Sequence, residues 1–483
     1  MDKAVLSLLK TQAYVDGGWV GRPTFAIHDK STGDEITKVT DFTGDMAEQA
    51  IEAAYKAQKE WARTSAKTRA QVLRRWYREI LNHVDELALL LTTEQGKPLA
   101  EARGEITYGA EFVAFNAEQA LRIYGETIPT HKADARIIVS KQPVGVIAAI
   151  TPWNFPNAMI TRKVSPALAA GCAVVVKPAE DTPLSALALA ELAHRAGLPS
   201  GLFNVLPCSK PEEIGKVLTT HPKVAMVTFT GSTEVGRILM GQAASTIKKV
   251  GLELGGNAPF IVFDDADIDA AVDGAMASKF RNAGQTCVCA NRIYVQDGIY
   301  DRFADALVQR VEALQVGDGR ESGVSMGPLI NEAGVEKVEA HIADAVSKGA
   351  KVVVGGARHS AGSNFFQPTV LRDVTADMTV AREETFGPVA PLFSFSTEDD
   401  VIAQANATEF GLAAYFFARD IGRVWRVAEA LEYGMVGINE GVVSTEMAPF
   451  GGVKQSGLGR EGSHHGIEEF VEMKYMLMGG LKT

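Results

Sequence analysis

Cysteine is scarce in this chain. Four residues in 483 (Cys172, Cys208, Cys287 and Cys289) are too few for a disulfide framework, so a reducing compartment is the default. Long apolar runs are missing as well, and nothing approaches the roughly 20 residues that a bilayer-spanning helix needs. An excess of positive charge is also lacking. Lys and Arg number 48 against 59 Asp and Glu, and the net charge of −11 argues against nucleic acid or an anionic membrane surface as a partner. The opening "MDKAVLSLLKTQ" has neither the long apolar region nor the small-residue cleavage site of a secretory signal. A cytoplasmic location is expected, with the mitochondrial matrix as the alternative if a targeting segment has been removed. No internal repeat or low-complexity segment stands out. No Cys or His cluster near Cys287 and Cys289 completes the four ligands of a zinc site, and His464 and His465 lie far away in sequence, so no metal is expected.

What remains is the composition of an ordinary globular protein, with 46% hydrophobic and 22% charged residues. A chain of 483 residues exceeds one core, so two or three domains are expected. The first third reads as helical: Leu73, Trp76, Tyr77, Ile80, Val84 and Leu87 recur at helical spacing, with charged residues between them. After Pro143 the rhythm changes. "VGVIAAITPWNFP", "GCAVVVKPAE", "GLFNVLP" and "VAMVTFTGS" are short apolar runs that end in turn or polar residues, with helical stretches between. That alternation means an α/β fold with a parallel sheet. Sites in such sheets form at the carboxyl ends of strands, where Asn154, Lys177 and Gly231 fall. A second alternating unit starts near "APFIVF", with "RIYVQ" and "KVVVGG" as later strands. Val471, Met473, Tyr475 and Leu477 alternate with Glu472, Lys474 and Met476, the pattern of a terminal strand in need of an edge.

Three stretches carry chemistry. In "FRNAGQTCVCANR" (280–292), Gly284, Gln285 and Thr286 give Cys287 a polar, flexible approach that suits a reactive thiolate. Taken alone, the loop reads better as two small half-buried cysteines. In "LELGGNAPF", Glu253 lies between leucines, where a carboxylate's pKa rises toward the range of a general base. A strand-end Glu reaching solvent fits the same residues. In "TFTGSTEVGR", Gly231, Ser232 and Gly236 follow a strand and open a helix, a turn able to hold a diphosphate although it is not the G-x-G-x-x-G fingerprint.

Together with "TPWNFP" (151–156), "VVVKPAEDTP" (174–183), "EETFGP" (383–388) and "PFGGVKQSGLGREG" (449–462), these stretches resemble the aldehyde dehydrogenase superfamily, and within it the succinate-semialdehyde dehydrogenases. The resemblance covers nearly the whole chain, with the motifs in the family's order. It implies that Cys287 is the nucleophile, that Asn154 and the Cys287 N–H stabilise the oxyanion, and that Glu253 activates the water that hydrolyses the thioester. For the cofactor it implies Lys177 and Glu180 at the adenosine ribose, Gly231 and Ser232 at the diphosphate, Trp153 on the dinucleotide wall, and Glu384 and Phe386 at the nicotinamide ribose. Glu180 should repel a 2′-phosphate, so NAD is expected over NADP. Arg162, Arg281 and Ser444 are implied to hold the far carboxylate of a semialdehyde. Succinate semialdehyde is the expected substrate, with glutarate semialdehyde or another short carboxy-aldehyde as the alternative. A non-enzymatic relative of the same fold ranks low, because Cys287, Glu253 and Asn154 are all present.

The implied architecture is a Rossmann-type cofactor domain (1–123 and 143–252), an α/β catalytic domain (253–440) and a small β oligomerisation element (124–142 and 463–483). A homo-oligomer follows, either a dimer or a dimer of dimers. Cys289 stands two positions from the nucleophile, and the sequence suggests it as a resolving thiol in a redox switch, with simple packing as the competing role.

Overall fold

Four apolar runs after Pro143 become parallel strands in a computed structural model that describes residues 3–481. Val146–Ile150 and Ala173–Lys177 are buried at every position, as expected of strands covered on both faces. Phe203–Val205 and Val224–Thr230 flank them, Lys249–Glu253 lies beyond Val224–Thr230, and all five strands run parallel. The helices Ala158–Ala170 and Pro183–Arg195 lie between consecutive strands, the first buried at all 13 of its positions. The antiparallel hairpin Ala13–Val15 and Gly18–Val20 joins one edge, and Gly457–Leu458 closes the other, giving eight strands.

The N-terminal third therefore departs from a purely helical reading. It opens with that hairpin, turning through Asp16 and Gly17 at φ 51° and 79°, and continues with a separate hairpin, Pro23–His28 and Glu35–Thr40. Three-residue strands are too short to display alternation, which is why the pattern gave no warning. The helical repeat from Leu73 to Leu87 also spans two helices, Ala66–Asn82 and Val84–Gln95, which break at His83, φ −124°.

The second sheet has seven strands centred on Ala258–Val262 and Ala290–Gln296, with Lys351–Val354 antiparallel at its edge. Each large sheet has its own apolar core, and the chain passes from one to the other at Leu254–Ala258. A third sheet pairs Arg136–Pro143 with Glu126–Ile128 on one side and with Val471–Met478 on the other, from Val471 opposite Pro143 to Met478 opposite Arg136. The terminal strand thus finds its edge within the chain. Residues 482 and 483 of the expected oligomerisation element lie outside the described residues. No helix among the described residues is long and apolar enough to cross a membrane.

Candidate active site

The carboxyl ends of the first sheet's strands face the second unit across a cavity of about 640 Å³. Trp153 and Asn154 follow Val146–Ile150, Gly231 and Ser232 follow Val224–Thr230, and Glu253 ends its own strand. The helix Leu99–Gln119 lays Glu101, Glu105 and Tyr108 along the same space at i, i+4 and i+7 spacing. The second unit adds Arg281, Cys287, Glu384, Phe386 and Ser444. Arg162 completes the lining, so every sequence-derived site residue meets in this cavity except Lys177, Glu180 and Cys289.

The loop that carries Cys287 is built differently from its expected form. After the helix Ile268–Lys279 the backbone takes three left-handed residues in succession, Asn282, Ala283 and Gly284 at φ 51°, 54° and 75°. Gly284 is required there, since a Cβ would also strike the Gly387 carbonyl. The approach is not flexible and exposed: Asn282, Gln285 and Thr286 are at most 2% exposed. Their burial is tolerated because the polar groups of Gln285 find partners inside. Its Nε2 donates to Asn282 O at 3.0 Å, and its Oε1 accepts from Ile330 N at 2.9 Å.

Cys287 opens part of its surface to the cavity, yet its surroundings disfavour a resting thiolate. Burial, reinforced by the charges of Glu384 and Glu253 and opposed by Arg162 and Arg281, pushes its pKa up to about 12. The amide groups of Gln285 and Asn282 are spent inside the loop, while the buried Thr286 Oγ1 next to the nucleophile has no hydrogen-bond partner among the described residues. Cys289 is fully buried and rests its sulfur on Lys279 O at 3.4 Å, outside the cavity.

Asn154, 6% exposed, is fixed by its own amide, whose Nδ2 donates to Gln285 O at 3.1 Å while Oδ1 accepts from Phe155 N at 3.1 Å. Glu253 is 4% exposed, and its Oε2 has no hydrogen-bond partner among the described residues. Burial and the nearby Glu461 carboxylate raise it well above the usual carboxylate range, against the pull of Arg162 and Lys163. Burial also acts on Glu461, but Lys163 and Arg162 outweigh it and hold that carboxylate low. Glu461 lies in the "GREG" turn, which the sequence marked as a motif without giving this residue a role.

Both arginines keep N–H groups unspent. Arg162 sets Nε 2.6 Å from Glu461 and its guanidinium 3.7 Å from the centre of the Phe450 ring, leaving Nη2 without a hydrogen bond among the described residues. Arg281 lies 5.5 Å from the Phe155 ring centre with Nε likewise unpartnered. The Tyr108 hydroxyl beside them is buried and unpartnered too, and no motif or spacing in the sequence singles this residue out.

At the other end, Glu384 accepts from Gly256 N at 3.2 Å and is pushed up to about 7 by burial. Trp153 meets Phe386 edge-on at 5.4 Å. Ser232 caps the helix Thr233–Ala243 by accepting from Val235 N. A Cβ at Gly231 would collide with the Phe229 ring, so the bare turn into this helix is kept open. Lys177 and Glu180 pair at 3.3 Å where Ala173–Lys177 ends. A strand end, an open turn and a helix N-terminus in this order fit a dinucleotide.

One cavity thus holds a cysteine, a fixed amide donor and a raised glutamate beside a turn that fits a dinucleotide, the makings of an oxidoreductase. The chain belongs to the aldehyde dehydrogenase family, whose model matches residues 19–476. Its relatives include the 3-sulfolactaldehyde dehydrogenase of Pseudomonas putida, 62% identical over 98% of each chain. Succinate-semialdehyde dehydrogenase [NADP(+)] GabD of Escherichia coli (strain K12) is 61% identical, again over 98% of each. A crystal structure described as an E. coli NADP dependent enzyme superposes with a TM-score of 0.97 at 60% identity, over 98% of this chain and 99% of that one.

Proposed function

We propose that this protein oxidises a short aldehyde bearing a distal anionic group, with succinate semialdehyde as the preferred substrate. What supports this reading is one cavity that holds Cys287, Asn154 and Glu253 together with two arginines whose N–H groups lack partners. The Cys287 sulfur attacks the aldehyde carbon, and Asn154 Nδ2 and the Cys287 N–H face the oxygen that gains charge. A bound nicotinamide dinucleotide supplies the acceptor for the hydride. Glu253 then takes a proton from the water that cleaves the thioester, a task suited to a carboxylate that burial and Glu461 raise well above the usual carboxylate range. Arg162 and Arg281, with Ser444, bind the far anion. Gly231 and Ser232 would hold the diphosphate, Glu384 and Phe386 with Trp153 the nicotinamide end, and Lys177 and Glu180 the adenosine ribose.

Glu180 accepts ribose hydroxyls and opposes a 2′-phosphate, so NAD is the proposed cofactor and NADP the weaker one. The E. coli relative's name carries NADP(+), which makes the comparison of cofactors a direct test. Kinetics with both cofactors should be run against succinate semialdehyde, glutarate semialdehyde, 3-sulfolactaldehyde and butanal. The charged aldehydes should exceed butanal about 100-fold in kcat/KM, the worth of a charge-assisted pair, with succinate semialdehyde first. Equal use of butanal overturns the substrate class, and a native preference for NADP overturns the cofactor assignment.

A further inference from the structure

The carboxamide of Asn154 can serve an oxyanion only if its backbone stays in place, and the groups that hold that backbone lie behind the cavity's reactive groups. Lys97 sits in the turn between the helices Val84–Gln95 and Leu99–Gln119 and is 2% exposed. Its ammonium donates to the Asn154 carbonyl at 2.8 Å and to Glu105 Oε2 at 2.6 Å, and it stands 3.9 Å from the centre of the Phe155 ring. Asn282 Nδ2 gives the same Asn154 carbonyl a second bond at 3.1 Å and reaches Gln285 O at 3.2 Å. Gln285 O is also the acceptor for Asn154 Nδ2. The amide donor and the nucleophile's loop are thus closed into one ring of hydrogen bonds with Lys97 bound at its corner.

Each outer member is anchored in turn. Glu105 Oε1 accepts from Asn157 N at 2.9 Å and Ala158 N at 3.2 Å, at the start of the helix that follows the Asn154 segment. Asn282 accepts from Gln95 Nε2 at 3.0 Å, and its backbone N–H donates to Glu101 Oε2 at 2.8 Å. Burying an ammonium and a carboxylate is costly, and an apolar pair of equal volume would serve stability as well. Here the buried charge gives something an apolar pair lacks: a short, directional, charge-assisted bond to one chosen carbonyl.

We propose that Lys97 is a positioning residue for the attack step, holding the Asn154 backbone so that Nδ2 faces the aldehyde oxygen. This rests on the roles given above to Cys287 and Asn154. In that step the Cys287 thiol gives its proton to water in the cavity, the electron pair left on sulfur forms the S–C bond, the carbonyl π pair moves onto oxygen, and the Asn154 N–H meets the new charge. The test compares two reactions of the same sulfur. Attack on succinate semialdehyde, read as first-turnover NADH formation, builds an oxyanion. Alkylation by iodoacetamide displaces iodide from a saturated carbon and builds none.

The variant is Lys97→Met combined with Glu105→Gln, which leaves no unpaired buried carboxylate and keeps an oxygen to accept from Asn157 and Ala158. First-turnover rate should fall about 100-fold while alkylation and aldehyde KM stay within about threefold of native, the signature of a lost transition-state interaction. Asn282→Gly keeps the left-handed backbone and removes the second bond to the Asn154 carbonyl. It should lower the same ratio about tenfold, and it carries the test if the double variant does not fold. If alkylation falls as far as first turnover in both variants, or neither reaction changes, the positioning role is overturned. Asn154→Ala separates the two ideas: it must lower the ratio if Asn154 is the oxyanion donor. An unchanged ratio there overturns the underlying reading, whereas a lowered ratio beside unaffected Lys97 and Asn282 variants overturns Lys97 alone.

Discussion

Glu253 shows what a single side chain concedes for function. An ordinary glutamate titrates near pH 4.3, and burial beside Glu461 raises Glu253 well above that. The folded state therefore holds the proton more tightly than the unfolded chain does. The stabilisation is complete below the ordinary value and is lost as pH rises toward the folded one, at about 1.4 kcal/mol for each tenfold difference in proton affinity between the two states. Glu253→Gln cannot ionise, so its melting temperature should gain on the native protein's as pH rises from the ordinary glutamate value toward the folded one, while thioester hydrolysis is lost. Melting curves across that range check the first point, and single-turnover assays the second. A constant gap would mean that Glu253 ionises as freely as a surface residue.

Arg281 makes the opposite concession: its side chain is half-buried, with a buried Nε–H left unspent. Arg281→Ala should cost about 1.5 to 3 kcal/mol of binding to a charged aldehyde, a roughly 10- to 100-fold rise in KM. Butanal should be little affected. Equal losses for both substrates would assign Arg281 to the support of the Cys287 loop.

At the scale of elements, the left-handed run before Cys287 is an exacting piece of backbone. Gly284→Ala meets both an unfavourable φ, costing about 1 to 2 kcal/mol, and the Gly387 carbonyl. A lower melting temperature and a loss of turnover larger than any change in NAD binding are expected, measured by calorimetry and kinetics. Native turnover in this variant would show that the loop tolerates a shift at its base.

The buried parallel strands were legible because burial on both faces writes itself as runs such as "VGVIAAI". Cys287 and Glu253 were singled out through the family motifs around them, since their immediate neighbours alone left a packed cysteine and a solvent-facing strand end open, and both line the cavity. The short N-terminal hairpin was not, since three residues carry no period. The Lys97, Glu105 and Asn282 network was not legible either. Lys97 and Asn282 meet across 185 positions of sequence, and polar residues that satisfy each other only in three dimensions read as surface when seen singly. The burial of Cys289 belongs to the same class, because its place is set by Lys279 O and not by its nearness to Cys287.

For the whole molecule, the small third sheet has the most to say. Its terminal strand leaves Met473 74%, Tyr475 59% and Met478 54% exposed, a concentration of apolar surface that a lone small sheet does not support. We propose that a second copy of the chain covers it, as a dimer or a dimer of dimers. Light scattering should give a mass of two or four chains, and Met473→Asp with Tyr475→Asp should lower it. A native monomer would remove the proposal.

The order in which the sheets close bears on how the chain is made. Residues up to Glu253 supply the main body of the first sheet, but Gly457–Leu458 must arrive to cover the outer edge of Lys249–Glu253. The interval is 457 − 253 = 204 residues, about 10 to 40 s of translation at ordinary speeds. Throughout that interval the emerging chain carries one bare sheet edge, and Arg136–Pro143 waits still longer for Val471–Met478. A ribosome that stalls in this stretch releases a product whose first core still lacks Ile467, Phe470 and Val471 and whose two edges are open, ready to pair with a neighbour. Quality control during synthesis, more than the stability of the finished protein, should set how much of it a cell can accumulate.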